Sequence, residues 1–271
     1  MNNAVVENPF QNIIDEFYQV FNYPKPTGFL NVCTCGVCVD EKLELELRTL
    51  PLRELTRNHL YNYNDTAKDP IERPHELKYF LPKMVELFTE GENLHHSTEI
   101  YFQRVGNCPK GSFTTQEMAL WNKFCYEYLK ALVNVYPYER LKWQQDGIFN
   151  CLLMFYIGGA NIQPFLDYWV TLNTPQSTIN YIFSSAYDYW NNYYLPPVDY
   201  KIDMAFAQDY PEFKSIMKKW LDNPKHKQHF TDCIINLSSD NIDKFYAEYE
   251  FAQRNDYISC VFDALTGVIW K

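Results

Sequence analysis

Hydrophobic positions return every three or four residues along almost the whole chain, the spacing of one face of an α-helix. Phe10, Ile13, Ile14, Phe17 and Phe21 form the first such stripe, and Asn8-Pro9 ahead of it suits a cap followed by a first helical position. After the loop "YPKPTG" and a cysteine segment, Asp40 can cap a short helix through "EKLELELRT". Leu43, Leu45 and Leu47 alternate there, so a strand, part of a short pair near 29–47, is the competing expectation. "LPLRELT" reads as a bend before a helix capped by Thr56. Pro74 opens "PHELKYFLPKMVELFTEG", which Pro82 should kink and Gly91 should end. "STEIYFQRVG" predicts a helix capped by Ser97. The best-marked start is "TTQE", where Thr114 and Glu117 have capping-box spacing and lead a stripe through Trp121, Phe124 and Tyr128 that Pro137 ends. Further helices are predicted over 139–158, from Thr174-Pro175 through "IFSSAYDYWNN", and over 211–221, 225–236, 240–254 and 257–267, with Asp240 capping the third of these last four.

Ten or eleven helices and no hairpin signal predict an all-α protein. Short connections suggest an irregular multi-helix stack resembling an α-solenoid, although no fixed-period repeat is found. The 271 residues suit a single helical domain, 1–271. The "YLPPVD" linker offers a subdivision into 1–195 and 198–271. Composition agrees: 46% hydrophobic residues indicate a globular chain, and only 9 glycines disfavour a fold of tight turns or phosphate-cradling loops. The net charge of −10 argues against nucleic acid and is compatible with a basic protein partner. The longest apolar run, "CLLMFYIGGA", is far short of a bilayer span, and the N-terminus lacks a secretory pattern, so no membrane association and a soluble, cytoplasmic location are expected.

The sharpest chemical signal is "VCTCGVCVD". Cys33, Cys35 and Cys38 fall within six positions, with Gly36 allowing a tight reversal. Three readings stand: a structural zinc site, a redox pair, and thiols packed at a turn without metal. No second C-x-x-C follows, so a fourth zinc ligand would come from Cys108, His59, His75, His95 or His96. No cofactor is expected beyond that zinc. Cys125, Cys151, Cys233 and Cys260 sit in helical patterns as reduced core residues. The adjacent His95 and His96 should point to different faces if helical, which argues against a shared metal. His226 and His229 lie three apart on a face shared with Lys225 and Lys227, which reads as solvated. There is no G-x-S-x-G, P-loop, G-x-G-x-x-G or H-E-x-x-H.

The aromatic run "YDYWNNYYLPP" is the second unusual stretch. One of its helical stripes can face the core, and the other is a candidate contact surface, with Trp190, Tyr193 and Tyr194 as partner-binding anchors. "CTCGVC", "TLPLRELTRNHLYNYNDTA", "HELKYFLPKMVEL" and "DGIFNCLLMFYIGGANIQPFLDYW" together resemble a widespread uncharacterised bacterial family of helical proteins, in which a Cys-rich segment precedes a P-L-R-E-L-T motif. The resemblance spans roughly residues 30–170. It implies a bacterial, cytosolic, helical protein and carries no activity. Structure alone can account for the motif: Leu52 and Leu55 can enter the core, and a buried Arg–carboxylate pair would fix one helix on another.

The expected function is a non-enzymatic protein-interaction protein, most concretely a bacterial immunity protein that binds and blocks a basic toxin. The alternatives are an enzyme of unrecognised type and a Cys-metal or redox-responsive regulator.

Overall fold

In the computed structural model, which describes residues 8–35, 38–69, 71–137, 141–190 and 201–267, the first stripe becomes α1 (Gln11–Val20). It buries Ile13, Ile14 and Phe17. Every regular element among the described residues is helical, with fourteen α-helices, three short tighter turns and one wider turn. No helix among them is long and apolar enough to cross a membrane. The chain divides into two units, Met1–Tyr128 with Leu141–Gln145 and Met154–Ala160, and Leu129–Arg140 with Asp146–Leu153 and Asn161–Lys271. The "YLPPVD" linker lies outside the described residues.

The first unit continues with α2 (Glu41–Thr49), α3 (Arg57–Asp65), α4 (Pro74–Thr89), the short α5 (Gln103–Gly106), most of α6 (Thr115–Val133) and the end of α7 (Ile148–Ile157). The strand expected near 29–47 is replaced by α2. Asp40 accepts a hydrogen bond from the Leu43 amide at 2.7 Å, as an N-cap does. Leu43 and Leu47, one turn apart, are buried, while Leu45 between them is 49% exposed. The alternation of leucines is thus a helical i, i+4 pair with one solvent-facing residue.

Around α1, α4 and α6 the core is aromatic. Phe17 stacks on Phe21 at 5.4 Å, and Phe88 meets Phe102, Phe124 and Tyr128 at 5.3, 6.2 and 4.7 Å. Such pairs add about 0.5–1.5 kcal/mol each beyond burial. A Cβ on Gly106 would lie 1.8 Å from the Ile157 carbonyl oxygen, so α5 approaches the end of α7 as closely as backbone allows. Pro82 lies within α4, and the helix runs through it to Thr89. The helix expected over 139–158 begins only at Ile148. Positions 139 and 140 lie outside the described residues, and 143–145 are held off the helical path by Tyr128, whose hydroxyl donates to the Trp143 carbonyl (3.0 Å) and accepts from the Gln145 amide (3.3 Å). Ser97 does not cap a helix: its hydroxyl donates to Glu99, and Thr98–Ile100 is a single tight turn.

The second unit contains α8 (Gln163–Trp169), α9 (Pro175–Ser185), α10 (Pro211–Leu221), α11 (Pro224–Ile235), α12 (Ser239–Glu248), α13 (Glu250–Arg254) and α14 (Tyr257–Thr266). Thr174 caps α9 as its position before proline suggests. The cap of α12 is Ser238, which accepts from the Asn241 amide, rather than Asp240, which sits in the first turn. The helix expected over 240–254 breaks at Tyr249, whose hydroxyl is tied to the Pro137 carbonyl at 2.7 Å. Trp169, Tyr181, Trp220 and Phe230 form the local core, with Tyr181 stacked on Phe230 at 3.6 Å. Cys125, Cys151 and Cys233 are buried thiols and Cys260 is half-buried.

The predicted capping box of α6 is present and does a second job. The Thr114 amide donates to Glu117 Oε2 at 2.6 Å, and the Glu117 amide donates to the Thr114 hydroxyl at 3.2 Å. The same carboxylate takes Lys78 Nζ at 2.8 Å and the Tyr23 hydroxyl at 2.5 Å. Burial pushes the Glu117 carboxyl up, but Lys78, Tyr23 and the Thr114 amide outweigh it and hold it below its usual value. A carboxyl lowered in the folded state contributes stability above its unfolded value, and that contribution is lost as pH falls through the folded one. Glu117→Gln keeps the capping geometry but strands a buried lysine. It should cost about 3–5 kcal/mol at neutral pH and flatten the acid limb of stability, both read from urea unfolding at a series of pH values.

Candidate functional site

The cysteine turn of the first unit is held by buried polar groups. The Leu30 amide donates to Glu44 Oε1 on α2 at 3.1 Å, and the Asn31 amide donates to both oxygens of Glu76 on α4 at 3.1 Å. The Cys33 amide donates to the Ala67 carbonyl (2.7 Å) and the Thr66 hydroxyl (3.2 Å), just beyond the end of α3. Val39, buried, donates back to the Cys33 carbonyl at 3.2 Å. Beneath the turn lies Arg104, 1% exposed. Its guanidinium donates to Glu72 Oε2 (3.0 Å), the Asn31 carbonyl (3.0 Å) and the Tyr63 carbonyl (2.6 Å), and rests 4.0 Å over the Tyr63 ring. A buried Arg–carboxylate pair was expected from "PLRELT". The motif forms none, since its Arg53 and Glu54 are exposed; Arg104 and Glu72, outside the motif, form a buried pair instead. Arg53 of the motif is exposed and stacks on the Tyr18 ring at 3.8 Å, while Leu55 is buried.

Beside the turn is an open pocket of about 330 Å³, lined by Leu30, Cys33, Ala67, Lys68, Asp69 and Arg73 among others. Phe29 and Ile71, 78% and 69% exposed, are the most exposed large apolar side chains among the described residues. Their carbonyls are each tied to a residue of the pocket wall: Arg73 donates to the Phe29 carbonyl at 2.7 Å, and the Asn31 side chain donates to the Ile71 carbonyl at 3.4 Å. The cations here are matched, Arg48 with Glu44 at 2.7 Å, Lys68 with Glu72 at 3.4 Å and Arg73 with Asp69 at 3.4 Å. Sequence reading missed this pair, because a lone Phe in a loop and a lone Ile after a proline carry no periodic signal.

The sulfurs of Cys33, Cys35 and Cys38 lie within 4.8 Å of one another. A tetrahedral zinc with Zn–S bonds of about 2.3 Å needs sulfurs about 3.8 Å apart, so a small closing movement would suffice. Cys33 is half-buried and Cys35 exposed, and Gly36 lies outside the described residues. Hydrogen bonding to the Cys35 sulfur raises the Cys33 thiol, so a metal would have to displace a held proton. Among the described residues no fourth Cys, His, Asp or Glu ligand atom joins the three within that distance. Cys108 is turned to the Arg104 carbonyl at 3.4 Å, and burial pushes its thiol up to about 12. His59 spends Nδ1 on the Thr56 cap of α3 and Nε2 on Glu46.

His95 and His96 are not helical, so the expectation that they diverge fails. They occupy a bend and both face Asp65, the last residue of α3, with Nδ1 of each 3.2 and 2.7 Å from Asp65 Oδ1. Burial, aided by His96, Lys68 and Arg104 and opposed by Asp65, pulls His95 down to about 4. His226 and His229 are not a solvated pair: each directs a ring nitrogen at a carbonyl, Trp220 and Leu172 respectively, at 2.9 Å.

Of the aromatic anchors, Trp190 is 3% exposed. It lies in a widened turn, Ala186–Trp190, that carries Tyr189 and Trp190 inward and leaves Tyr187 exposed. Tyr193 and Tyr194 lie outside the described residues. No family model, curated protein or solved structure matches this chain.

Removing Arg104 leaves Glu72 and two carbonyls buried without their main partner. Arg104→Met should destabilise the first unit by about 3–5 kcal/mol and speed the reaction of Cys33 and Cys38 with a thiol reagent, followed at denaturant concentrations where the fold persists. If the three thiols hold zinc, purified protein should carry one equivalent at this turn. Cys35→Ser should then lose it together with thermal stability, because structural zinc binding is coupled to folding. Elemental analysis and melting curves check both.

Proposed function

We propose that this chain is a non-enzymatic protein-binding protein whose contact surface is the cysteine turn of the first unit. The observation that supports the reading is the exposure of Phe29 and Ile71, each tied through its carbonyl to a residue that lines the open pocket. Large apolar side chains rimmed by polar residues are what a protein partner desolvates. The internally matched Arg48, Lys68 and Arg73 leave the local charge near neutral, which suits an apolar contact. The chain's surplus of −10 would act at longer range, steering a basic partner to its target. The most concrete form of this reading is an immunity protein that binds and blocks a basic toxin in a bacterial cell. Zinc held by Cys33, Cys35 and Cys38 would then be structural, stiffening the contact loop.

A second reading rests on the three neighbouring sulfurs: a regulator whose turn changes shape when it binds metal or forms a disulfide. Under that reading partner binding should change on oxidation. Under the first it should not, provided that zinc is retained.

The test is co-expression with the toxin gene next to its own. Growth should be rescued by the natural chain, and a toxin that kills equally in its presence would refute the immunity form. Phe29→Ala with Ile71→Ser should weaken binding by about 2 kcal/mol or more, roughly 30-fold, with unchanged melting temperature. Raising salt should slow association more than it speeds dissociation.

A further inference from the structure

We infer that Asp65, His95 and His96 form a metal site of nitrogen and oxygen ligands, suited to a borderline divalent ion such as zinc or nickel and separate from the cysteine turn. The inference goes beyond the proposed binding function and does not depend on it. Its basis is a backbone clamp. Asn64 donates from one side-chain amide to the Leu94 carbonyl at 3.1 Å and to the Tyr101 carbonyl at 2.7 Å. Asn64 immediately precedes Asp65, and Leu94 immediately precedes His95, so the clamp fixes the carboxylate against the two imidazoles. Leu94 is fully buried, and Tyr101 anchors the neighbouring Asn93 through its hydroxyl at 2.9 Å. The ligand atoms of the three residues all lie within 4.8 Å of one another. Metal bonds of about 2.0–2.2 Å require ligand atoms a little over 3 Å apart, and Asp65 Oδ1 is already 3.2 and 2.7 Å from the two Nδ1 atoms.

The hydrogen bonding singles out a cation as what the arrangement lacks. The backbone amide of His96 donates to His95 Nδ1 at 2.9 Å, which makes that nitrogen an acceptor. An acceptor nitrogen facing a carboxylate oxygen at 3.2 Å is a contact between two lone pairs, and a cation between them turns repulsion into ligation. On entry it takes the Nδ1 lone pair from the His96 amide. That amide lies at the exposed surface and can turn to water. His96 Nδ1, which in the free protein donates to Asp65, gives up that proton as the metal takes its place, and the neutral ring then carries its one proton on the solvent-facing Nε2. Imidazole and carboxylate suit zinc and nickel, whereas the cysteine turn selects thiophilic ions. Three ligands leave at least one position open to water or to a donor from a partner.

The experiment uses untagged full-length protein and nickel(II) as the probe. In calorimetric titration of the Cys33→Ser/Cys35→Ser/Cys38→Ser variant, one equivalent should bind. Adding His96→Ala or Asp65→Asn should weaken it by about 10-fold or more. No binding by a folded cysteine-free variant, or binding indifferent to both added substitutions, would overturn the inference. If the cysteine-free variant does not fold, the natural chain answers by diethyl pyrocarbonate labelling read by peptide mass spectrometry. Nickel should protect His96, which is exposed, and leave the exposed His75 reacting as before. Equal labelling of His96 with and without nickel rejects the site.

Discussion

A guanidinium sealed from water must be solvated by the protein, and in the first unit that duty organises everything around Arg104. Three acceptors surround it, one from Glu72 ahead of α4, one from the loop at Asn31 and one from the end of α3 at Tyr63. Each lies on a different stretch of chain, so the charge can be stabilised only when all three are in register. Breaking such a pair costs far more than forming it gains, because the partner left behind stays charged and dry. The interaction therefore supplies specificity: it allows the cysteine loop one position over α3 and α4.

The same logic recurs at smaller scale. Glu117 caps α6 and neutralises Lys78. Glu44 holds the Leu30 amide and Arg48. Glu76 binds the Asn31 loop amide through both its oxygens, and burial keeps its carboxyl above the usual range despite that amide, the Tyr63 hydroxyl and Arg104. Each of these acids sits on a helix and reaches into a loop, so helices formed by local periodicity position segments with no periodicity of their own. The aromatic core beneath supplies the burial, and the carboxylates supply the register.

That division explains what could be read in the sequence. Stripes such as Phe10–Phe21 and signals such as Thr114-x-x-Glu117 depend on neighbours within a turn or two, and they predict the helical class correctly. Asp40 marks its helix equally well, and the leucine alternation beside it misleads only because a nine-residue helix with one exposed leucine has the same spacing as a strand. Tyr128 and Tyr249 interrupt expected helices through bonds to residues that are distant in sequence, which no local pattern reveals. The His95–His96–Asp65 group was hidden for a related reason. Adjacent histidines diverge on a helix but converge in a bend, and the bend is set by Asn64, thirty residues away from Leu94. The cysteines are visible by spacing, while the exposure of Phe29 and Ile71 arises in loop segments that carry no periodic signal.

Residues 65–69 are tied to their neighbours almost position by position. Asp65 faces the two histidines, Thr66 and Ala67 hold the Cys33 amide, and the Asp69 amide donates to the Asn31 side chain at 2.9 Å. Connections at a protein surface ordinarily accept inserted or deleted residues with little loss. This one has hardly a residue without a fixed appointment. A single extra residue between Asp65 and Ala67 would leave either the imidazoles or the cysteine turn without its anchor. The length of this stretch is therefore set by two clusters at once, and a change that suits one would unseat the other.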